Sequence, residues 1–185
     1  MIERLLVLCL GAAAVMASAA SAQQPFPVSV DASVGVRSAS GGSYVNRGGA
    51  AADLMVGVNL GRAGAGTLVG AVTAGAQSSM GGDLMCVMGG DGGCVDNFPV
   101  LLSVGALVGV SRSSSSGATT RVLAGPAYFR GEYEDGALGL QGRLDVSTPP
   151  ILHTALVLSL NGAVLPRFRS EMLGTTSIGL GLRIQ

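Results

Sequence analysis

Lysine and tryptophan are missing from this chain of 185 residues, and aromatic residues make up only 4% of it. All eleven basic residues are arginines, and eleven acidic residues balance them. A soluble protein rich in β-strands normally covers its outer face with lysine and glutamate, so the missing lysine argues against a soluble β-protein. The balanced charge gives no reason to expect a nucleic-acid partner.

The sequence also lacks a hydrophobic run long enough for a membrane-spanning helix, although 48% of its residues are hydrophobic. Such a helix needs about 20 apolar residues, and the stretch 100–110 has about half of them. The stretch 151–165 is interrupted by His153, Asn161 and Gly162. An apolar chain without spanning helices is typical of a closed β-barrel, because a barrel pairs every backbone polar group within the lipid.

The N-terminus predicts export. Glu3 and Arg4 precede an apolar run that ends in Ala20-Ser21-Ala22, which is the pattern of a secretory signal peptide over residues 1–22. Its removal leaves residues 23–185, enough for one domain. A lipoprotein is disfavoured, because Leu8 precedes Cys9 where a small residue is required.

What the mature region does have is a repeated two-residue alternation. In the last stretch, 174–185, apolar residues at even positions alternate with small or polar residues at odd positions. A strand puts alternate side chains on opposite faces, so this segment has one apolar face and one polar face. Eight such strands are predicted, at about 28–37, 52–62, 67–76, 98–111, 119–130, 137–147, 151–163 and 174–185.

The predicted connections alternate as well. The segments 39–50 and 77–97 are long and Gly/Ser-rich or irregular, whereas 63–66, 113–118 and 148–150 are short. Short turns on one side and longer loops on the other are typical of an outer-membrane barrel with its N-terminus in the periplasm.

The signal peptide, the eight alternating strands and the terminal strand resemble the small eight-stranded outer-membrane barrels of the OmpA-like membrane-domain type. The resemblance covers essentially the whole mature chain and implies an all-β, antiparallel, up-and-down transmembrane barrel in the bacterial outer membrane. It also implies contact with the outer-membrane assembly machinery through residues 174–185, and a monomer is expected. The chain differs from that group in ending on Ile184-Gln185 and not on an aromatic residue.

Six of the seven aromatic residues lie at or beyond the predicted outer ends of strands, which predicts an aromatic girdle on that side. They are Tyr44, Phe98, Tyr128, Phe129, Tyr133 and Phe168, and the seventh, Phe26, lies near the inner end.

The polar faces predict a charged lumen. The interior of an eight-stranded barrel is just wide enough to be filled by side chains, and buried charges must pair. We expect a salt-bridge network that seals the lumen, and the alternative is separately hydrated groups at the barrel ends. The predicted members are Asp31, Asp53, Arg121, Arg143, Asp145 and Arg183.

The two mature cysteines, Cys86 and Cys94, lie in the Gly-rich segment CVMGGDGGC. In an oxidising compartment this spacing predicts a disulfide that pins the long outer loop. Asp83, Asp91 and Asp96 surround the same loop but do not match the spacing of a calcium loop, so no metal or cofactor is expected.

Arginines are predicted at both rims of the barrel. For any one arginine of the outer rim, ordinary solvated loop charge is the favoured interpretation, and contact with lipopolysaccharide phosphates is the alternative. These candidates are Arg47, Arg130, Arg167 and Arg169. At the inner rim, Arg62 and Arg112 would extend to lipid phosphates.

No catalytic residue is predicted. His153, the only histidine, is expected at the start of the seventh strand on the lumen side, and no GxSxG motif accompanies it. We expect a non-enzymatic, porin-like barrel that serves envelope structure, surface interaction through the outer loops, or limited permeation.

Two alternative functions remain open. The first is a small apolar-ligand carrier in the outer membrane, which apolar side chains turned inward would favour. The second is a soluble periplasmic lipocalin-like barrel with the two faces exchanged, against which the missing lysine argues. The inward apolar candidates are Met55, Leu101, Leu107 and Leu123.

Overall fold

The computed structural model describes most of the mature chain. The described residues are 28–41, 44–79, 84–86, 94–96, 100–131, 136–168 and 171–185. The predicted signal peptide, 1–22, and the start of the mature domain lie outside these residues and stay predictions. In the described part, no helix is long and apolar enough to cross a membrane.

The described residues form ten β-strands, eight of which close into an antiparallel barrel. Around the barrel the order is β1-β10-β9-β8-β7-β6-β3-β2, and β4 and β5 form a separate hairpin. The strands are β1 (Val28–Gly41), β2 (Tyr44–Ala63), β3 (Gly66–Ser79), β4 (Leu84–Cys86), β5 (Cys94–Asp96), β6 (Leu101–Ser113), β7 (Thr119–Gly131), β8 (Ala137–Ser147), β9 (Thr154–Phe168) and β10 (Glu171–Ile184). The predicted all-β, eight-stranded, up-and-down barrel is confirmed.

The terminal stretch closes the barrel. β10 pairs with β1 from Val30↔Ile184 to Ser40↔Gly174, so the first and last barrel strands leave no unpaired edge between them. We call the end that carries Val28 and Ile184 the inner end, and the opposite end the outer end.

Odd-numbered residues of the barrel strands point into the lumen and even-numbered ones point outward. Asp31 and Arg183 are buried, whereas their neighbours Leu182 and Ile184 are exposed. Every large hydrophobic residue that is exposed on a barrel strand has an even number. So large an apolar outer surface suits contact with lipid, and it contradicts the lipocalin-like alternative, which needed these residues inside.

Two predicted loops are largely strand. The Gly/Ser-rich segment 39–50 was predicted as a loop, but β1 runs to Gly41, β2 begins at Tyr44, and Ala39 pairs with Arg47. The segment 165–171 was predicted as the connection to the last strand, but β9 extends to Phe168 and β10 begins at Glu171. Ladder hydrogen bonds join backbone groups, so small residues continue the pairing although their composition is typical of loops.

The start of the seventh barrel strand was also predicted wrongly. Ile151 and Thr154 exchange two backbone hydrogen bonds, so 151–154 is a turn, and β9 begins only at Thr154. His153 therefore lies exposed in this turn and not in the lumen.

Candidate functional site

Five charged side chains of alternating sign join across the inner half of the lumen. We call them the charged cluster: Asp31, Arg121, Arg143, Asp145 and Arg183. Arg183 lies at its centre and is completely buried. Its Nε donates to Asp31 Oδ1 at 2.6 Å, and its Nη2 donates to Asp31 Oδ2 at 3.0 Å and to Asp145 Oδ2 at 3.2 Å.

Strand pairing explains the contacts at the centre. Asp31 on β1 is the direct cross-strand partner of Arg183 on β10, so their side chains share the inner face. The fork of an arginine matches a carboxylate, and the two donors on Asp31 make this pair bidentate. From β10, Arg183 also extends past β9 to Asp145 on β8.

Two arginines extend the cluster at its ends. Arg143 Nε donates to Asp145 Oδ1 at 2.8 Å. Arg121 Nη1 donates to Ser29 Oγ at 2.9 Å and to Asp31 Oδ2 at 3.4 Å. Because β7 and β1 lie on opposite sides of the barrel, the contact between Arg121 and Asp31 spans the lumen.

All four ion pairs of the charged cluster are deeply buried, with side-chain exposures of 6% or less. Taking an ion out of water costs several kcal/mol, so such charges persist only when opposite charges and hydrogen bonds offset that cost. Ser29 and Ser147 supply further oxygens, since Arg183 Nη1 donates to Ser147 Oγ at 3.2 Å. The charged cluster occupies the inner half of the lumen and links strands of the barrel wall to one another. It offers no free nucleophile.

Asp53, the sixth predicted member, joins none of these four ion pairs. Its Oδ2 accepts a hydrogen bond from Asn161 Nδ2 at 3.1 Å, and Asn161 Nδ2 also lies 3.4 Å from Ser177 Oγ. The hydrogen-bond partner of Asp53 is therefore an amide, whereas an arginine was predicted.

Apolar side chains form two clusters in the lumen, beside buried polar residues such as Thr73, Gln77 and Gln141. The outer apolar cluster contains Phe129, Leu101, Leu165 and Leu173 together with Ala39, Ala127, Ala137 and Ala163. A second apolar cluster lines β2, β3, β6 and β7 with Met55, Val69, Ala71, Leu107 and Leu123. The four apolar residues predicted to turn inward do so, and all four are at most 3% exposed.

The prediction that Phe129 belongs to the aromatic girdle is wrong. It was assigned to the lipid-facing aromatic ring because it lies near the outer end of its strand, but it is 1% exposed and belongs to the outer apolar cluster. Its odd number places it on the inner face, so the alternation contained the signal that would have found it. The lumen-facing role of Leu165 and Leu173 was missed as well, because the predicted strands ended before or began after them.

Arg37 contributes a further charge to the outer half. It is 3% exposed, and it donates from Nη1 to Gln77 Oε1 and from Nε to the Ser78 carbonyl oxygen, both at 3.2 Å. These two partners come from β3, which is not adjacent to β1 in the barrel.

The other predicted site residues lie at the edge of the described part. β4 and β5 place Cys86 opposite Cys94 as backbone partners, and nothing further is described for these two side chains. Arg130 is exposed at the outer end of β7. Arg47 and Arg167 are described only as backbone positions of β2 and β9, and Arg169 lies outside the described residues.

The described residues show an open apolar depression but no cluster of metal-ligating side chains. No three His, Cys, Asp or Glu residues of this part come together in a way that could hold a metal ion. The depression, of about 700 Å³, opens on the outer wall across β10, β1, β2 and β3. Its lining includes Ala32, Ala52, Ala74 and Ala76 together with Leu54 and Leu182.

Comparison with known proteins shows similarity in structure only. No family model matches the chain, and no curated protein matches it. Among solved structures, Neisserial surface protein A (NspA) matches with a TM-score of 0.59 and 15% identity, over 85% of this chain and 96% of that one. Ail, the attachment invasion locus protein of Yersinia pestis, matches with a TM-score of 0.51 and 12% identity, over 85% and 97%.

A second structure of Ail, in complex with the heparin analogue sucrose octasulfate, matches with a TM-score of 0.50 and 11% identity, over the same shares of the two chains. Identities this low carry information about the fold alone. The closed order of eight strands and the match over nearly the full length of NspA and Ail indicate the same fold. The fold of this chain is that of the small eight-stranded outer-membrane β-barrels.

Proposed function

We propose that this protein is a non-enzymatic outer-membrane barrel with a sealed lumen, which acts by presenting its outer end at the cell surface. The observation that carries the proposal is the contact of Arg121 with Asp31 across the lumen, below a second layer packed around Phe129. A pore would need a continuous polar path, and the ion pair and the apolar layer both argue against one.

The structural neighbours support this proposal. One is named a surface protein and the other an attachment invasion locus protein. The carrier alternative is weaker, because the inward apolar side chains that favoured it are buried in packed clusters. A barrel without a passage still offers a stable scaffold for loops, which is the usual place for binding residues.

Planar-bilayer recording of the purified, folded protein tests the seal. We expect no stable conductance steps, with an established porin at the same concentration as the positive control. Regular single-channel steps from the folded barrel would refute the sealed lumen and favour permeation.

At the outer end we propose that Arg130, with Arg47, Arg167 and Arg169, contacts anionic groups of lipopolysaccharide. The support is the exposure of Arg130 on the outward face at the outer rim, where phosphates of a surrounding lipid would lie. Ail was crystallised with a sulfated heparin analogue, so a sulfated glycan in solution is a second source of the same anionic chemistry.

Binding measurements can separate the two sources. Replacing the four arginines with glutamine should weaken co-purification with lipopolysaccharide, and replacing Arg62 and Arg112 at the inner rim serves as the matched control. Binding of the same variants to immobilised heparin then shows whether a sulfated glycan is bound at the same positions. If the outer-rim and inner-rim variants retain lipopolysaccharide equally, the arginines are ordinary solvated charge.

The paired backbone positions of Cys86 and Cys94 support the proposed disulfide. Cross-strand Cα atoms in an antiparallel pair lie about 4.5–5.5 Å apart, within the usual range for a disulfide. Thiol–disulfide exchange with a protein disulfide of the periplasm would form the bond and leave that partner with two thiols. Mass spectrometry of the exported protein without reductant should show a loss of two hydrogens, and two alkylated thiols would refute the bond.

A further inference from the structure

The turn between β8 and β9 has an unusual backbone. Ile151 N donates to Thr154 O at 2.7 Å and Thr154 N donates to Ile151 O at 3.0 Å, which closes a two-residue turn. Its central residues, Leu152 and His153, have φ angles of 49° and 69°. Positive φ at both positions is the signature of a type I′ turn, which strongly favours Asn-Gly.

This turn stands out among the three at the inner end. The other two use glycine at their positive-φ positions, Gly64 and Gly117. A left-handed residue with a side chain costs roughly 1–2 kcal/mol, so Leu152 and His153 make the third turn less stable than it needs to be. A strained position of this kind suggests that the side chains serve another purpose.

The strained turn also presents two large apolar side chains. Leu152 is 91% exposed and Ile151 is 77% exposed, the two highest exposures among the large hydrophobic residues described. The other inner turns, 64–65 and 114–118, contain only Gly, Ala and Ser. Exposed leucine and isoleucine at the end of a barrel are unfavourable in water and need a partner.

The apolar turn is held firmly against the barrel wall. Gln185 N donates to His153 O at 3.0 Å, and Thr148 N donates to Leu156 O at 2.9 Å. These bonds place the turn at the end of the outward apolar face, next to Leu156 and Ile184, which are 62% and 59% exposed. The turn therefore continues the surface that faces lipid.

Among the residues that the structure describes, none at the inner rim is aromatic, and Phe26, predicted near this end, lies outside them. Aromatic side chains normally mark both interfaces, but all the aromatic residues of the described part lie in the outer half of the barrel, and the chain has no tryptophan. From these observations we propose that Ile151 and Leu152 insert into the acyl-chain boundary of the inner phospholipid leaflet and anchor the inner rim. The inference rests on the proposed membrane placement.

Because the chain has no tryptophan, one introduced residue reports on its own surroundings. We would compare Leu152→Trp with Ser115→Trp, a matched position in the neighbouring inner turn, in phosphatidylcholine–phosphatidylglycerol vesicles. Leu152→Trp should emit at shorter wavelength and be quenched by brominated acyl chains, whereas Ser115→Trp should be quenched by aqueous iodide. Ile151→Trp, outside the positive-φ positions, repeats the test if Leu152→Trp fails to fold.

The outcomes separate this inference from the proposed function. Vesicle flotation first shows whether the barrel inserts at all, and failure to insert by all three variants and the unmodified chain would refute the membrane placement itself. If the barrel inserts but the tryptophan at 151 or 152 is quenched by iodide as strongly as that at 115, the anchor is refuted and the barrel proposal stands.

Discussion

The two halves of the lumen differ in chemistry. The inner half, which we call the charged half, is joined by ion pairs from Arg121 through Asp31 and Arg183 to Asp145 and Arg143, and the second apolar cluster packs beside them. The outer half, which we call the apolar half, is packed mainly with apolar side chains around Phe129, which need no partner of opposite charge. The two fillings depend on different features of the sequence.

Apolar packing tolerates changes of shape and type as long as volume is kept, whereas a buried ion network fails when one member is removed. The charged half therefore specifies which strands lie opposite each other, because Arg121 and Asp31 must meet across the lumen. The apolar half adds stability with less demand on register. Each of the following predictions tests this contrast.

The largest loss of stability is expected from Arg183→Met. The substitution leaves the carboxylates of Asp31 and Asp145 without their central partner, and breaking a buried pair costs about 3–5 kcal/mol. Urea unfolding of the barrel in detergent micelles measures the change. Arg62→Met, on the outward face of the inner rim, is the matched control and should change stability by less than about 0.5 kcal/mol. Equal effects of the two substitutions would show that the charged cluster contributes nothing specific.

A somewhat smaller loss is expected from Phe129→Ala in the outer half. It removes the largest side chain of the outer apolar cluster and should cost about 3 kcal/mol, the lower end of the range for such truncations. Phe129→Leu keeps most of the volume and should cost less than about 1.5 kcal/mol. If Phe129→Leu is as damaging as Phe129→Ala, the outer half requires a specific shape, and the contrast with the charged half disappears.

Much of this architecture could be predicted from the sequence, because a strand obeys a strict two-residue period. The alternation in 174–185 alone places Arg183 inside and Leu182 outside, and both placements are confirmed. The network was harder to predict. Residues such as Asp31 and Arg121 meet across the lumen only through the register and tilt of the closed barrel, which no local pattern contains. Asp53 shows this limit, since its inward position gave no hint that Asn161 would be its partner.

The remaining errors have local causes. Strand ends in 39–50 were missed because glycine and serine have low strand preference, yet backbone pairing continues through them. The turn 151–154 was missed because Leu152-His153 is not one of the pairs, such as Asn-Gly or Asp-Gly, that mark a type I′ turn. In both places tertiary pairing overrides the local preference.

Asp53→Asn tests where the charged cluster ends. Asp53 accepts from Asn161 and its carboxylate joins none of the four ion pairs, so its neutral isostere should cost about 1 kcal/mol or less, the value of one hydrogen bond. Asp31→Asn is the matched comparison, because it weakens contacts with both Arg121 and Arg183 and should cost several times more, toward about 3–5 kcal/mol. The same urea titration serves for both. Similar losses would place Asp53 inside the cluster and extend the charged half toward the outer end.

The only gain in stability is expected from the double substitution Leu152→Asn, His153→Gly. Asn-Gly suits the positive φ of both residues, so relief of the left-handed strain should stabilise the barrel by about 1 kcal/mol in detergent. In detergent there is no bilayer whose contact with the apolar side chains would offset this gain. The turn shares no contact with the charged cluster, so its gain should add to the loss from Arg183→Met within about 0.5 kcal/mol. Clear non-additivity would mean that the inner turn and the charged half form one unit. In vesicles the gain should shrink or reverse, because the double substitution also removes Leu152 from the proposed lipid contact.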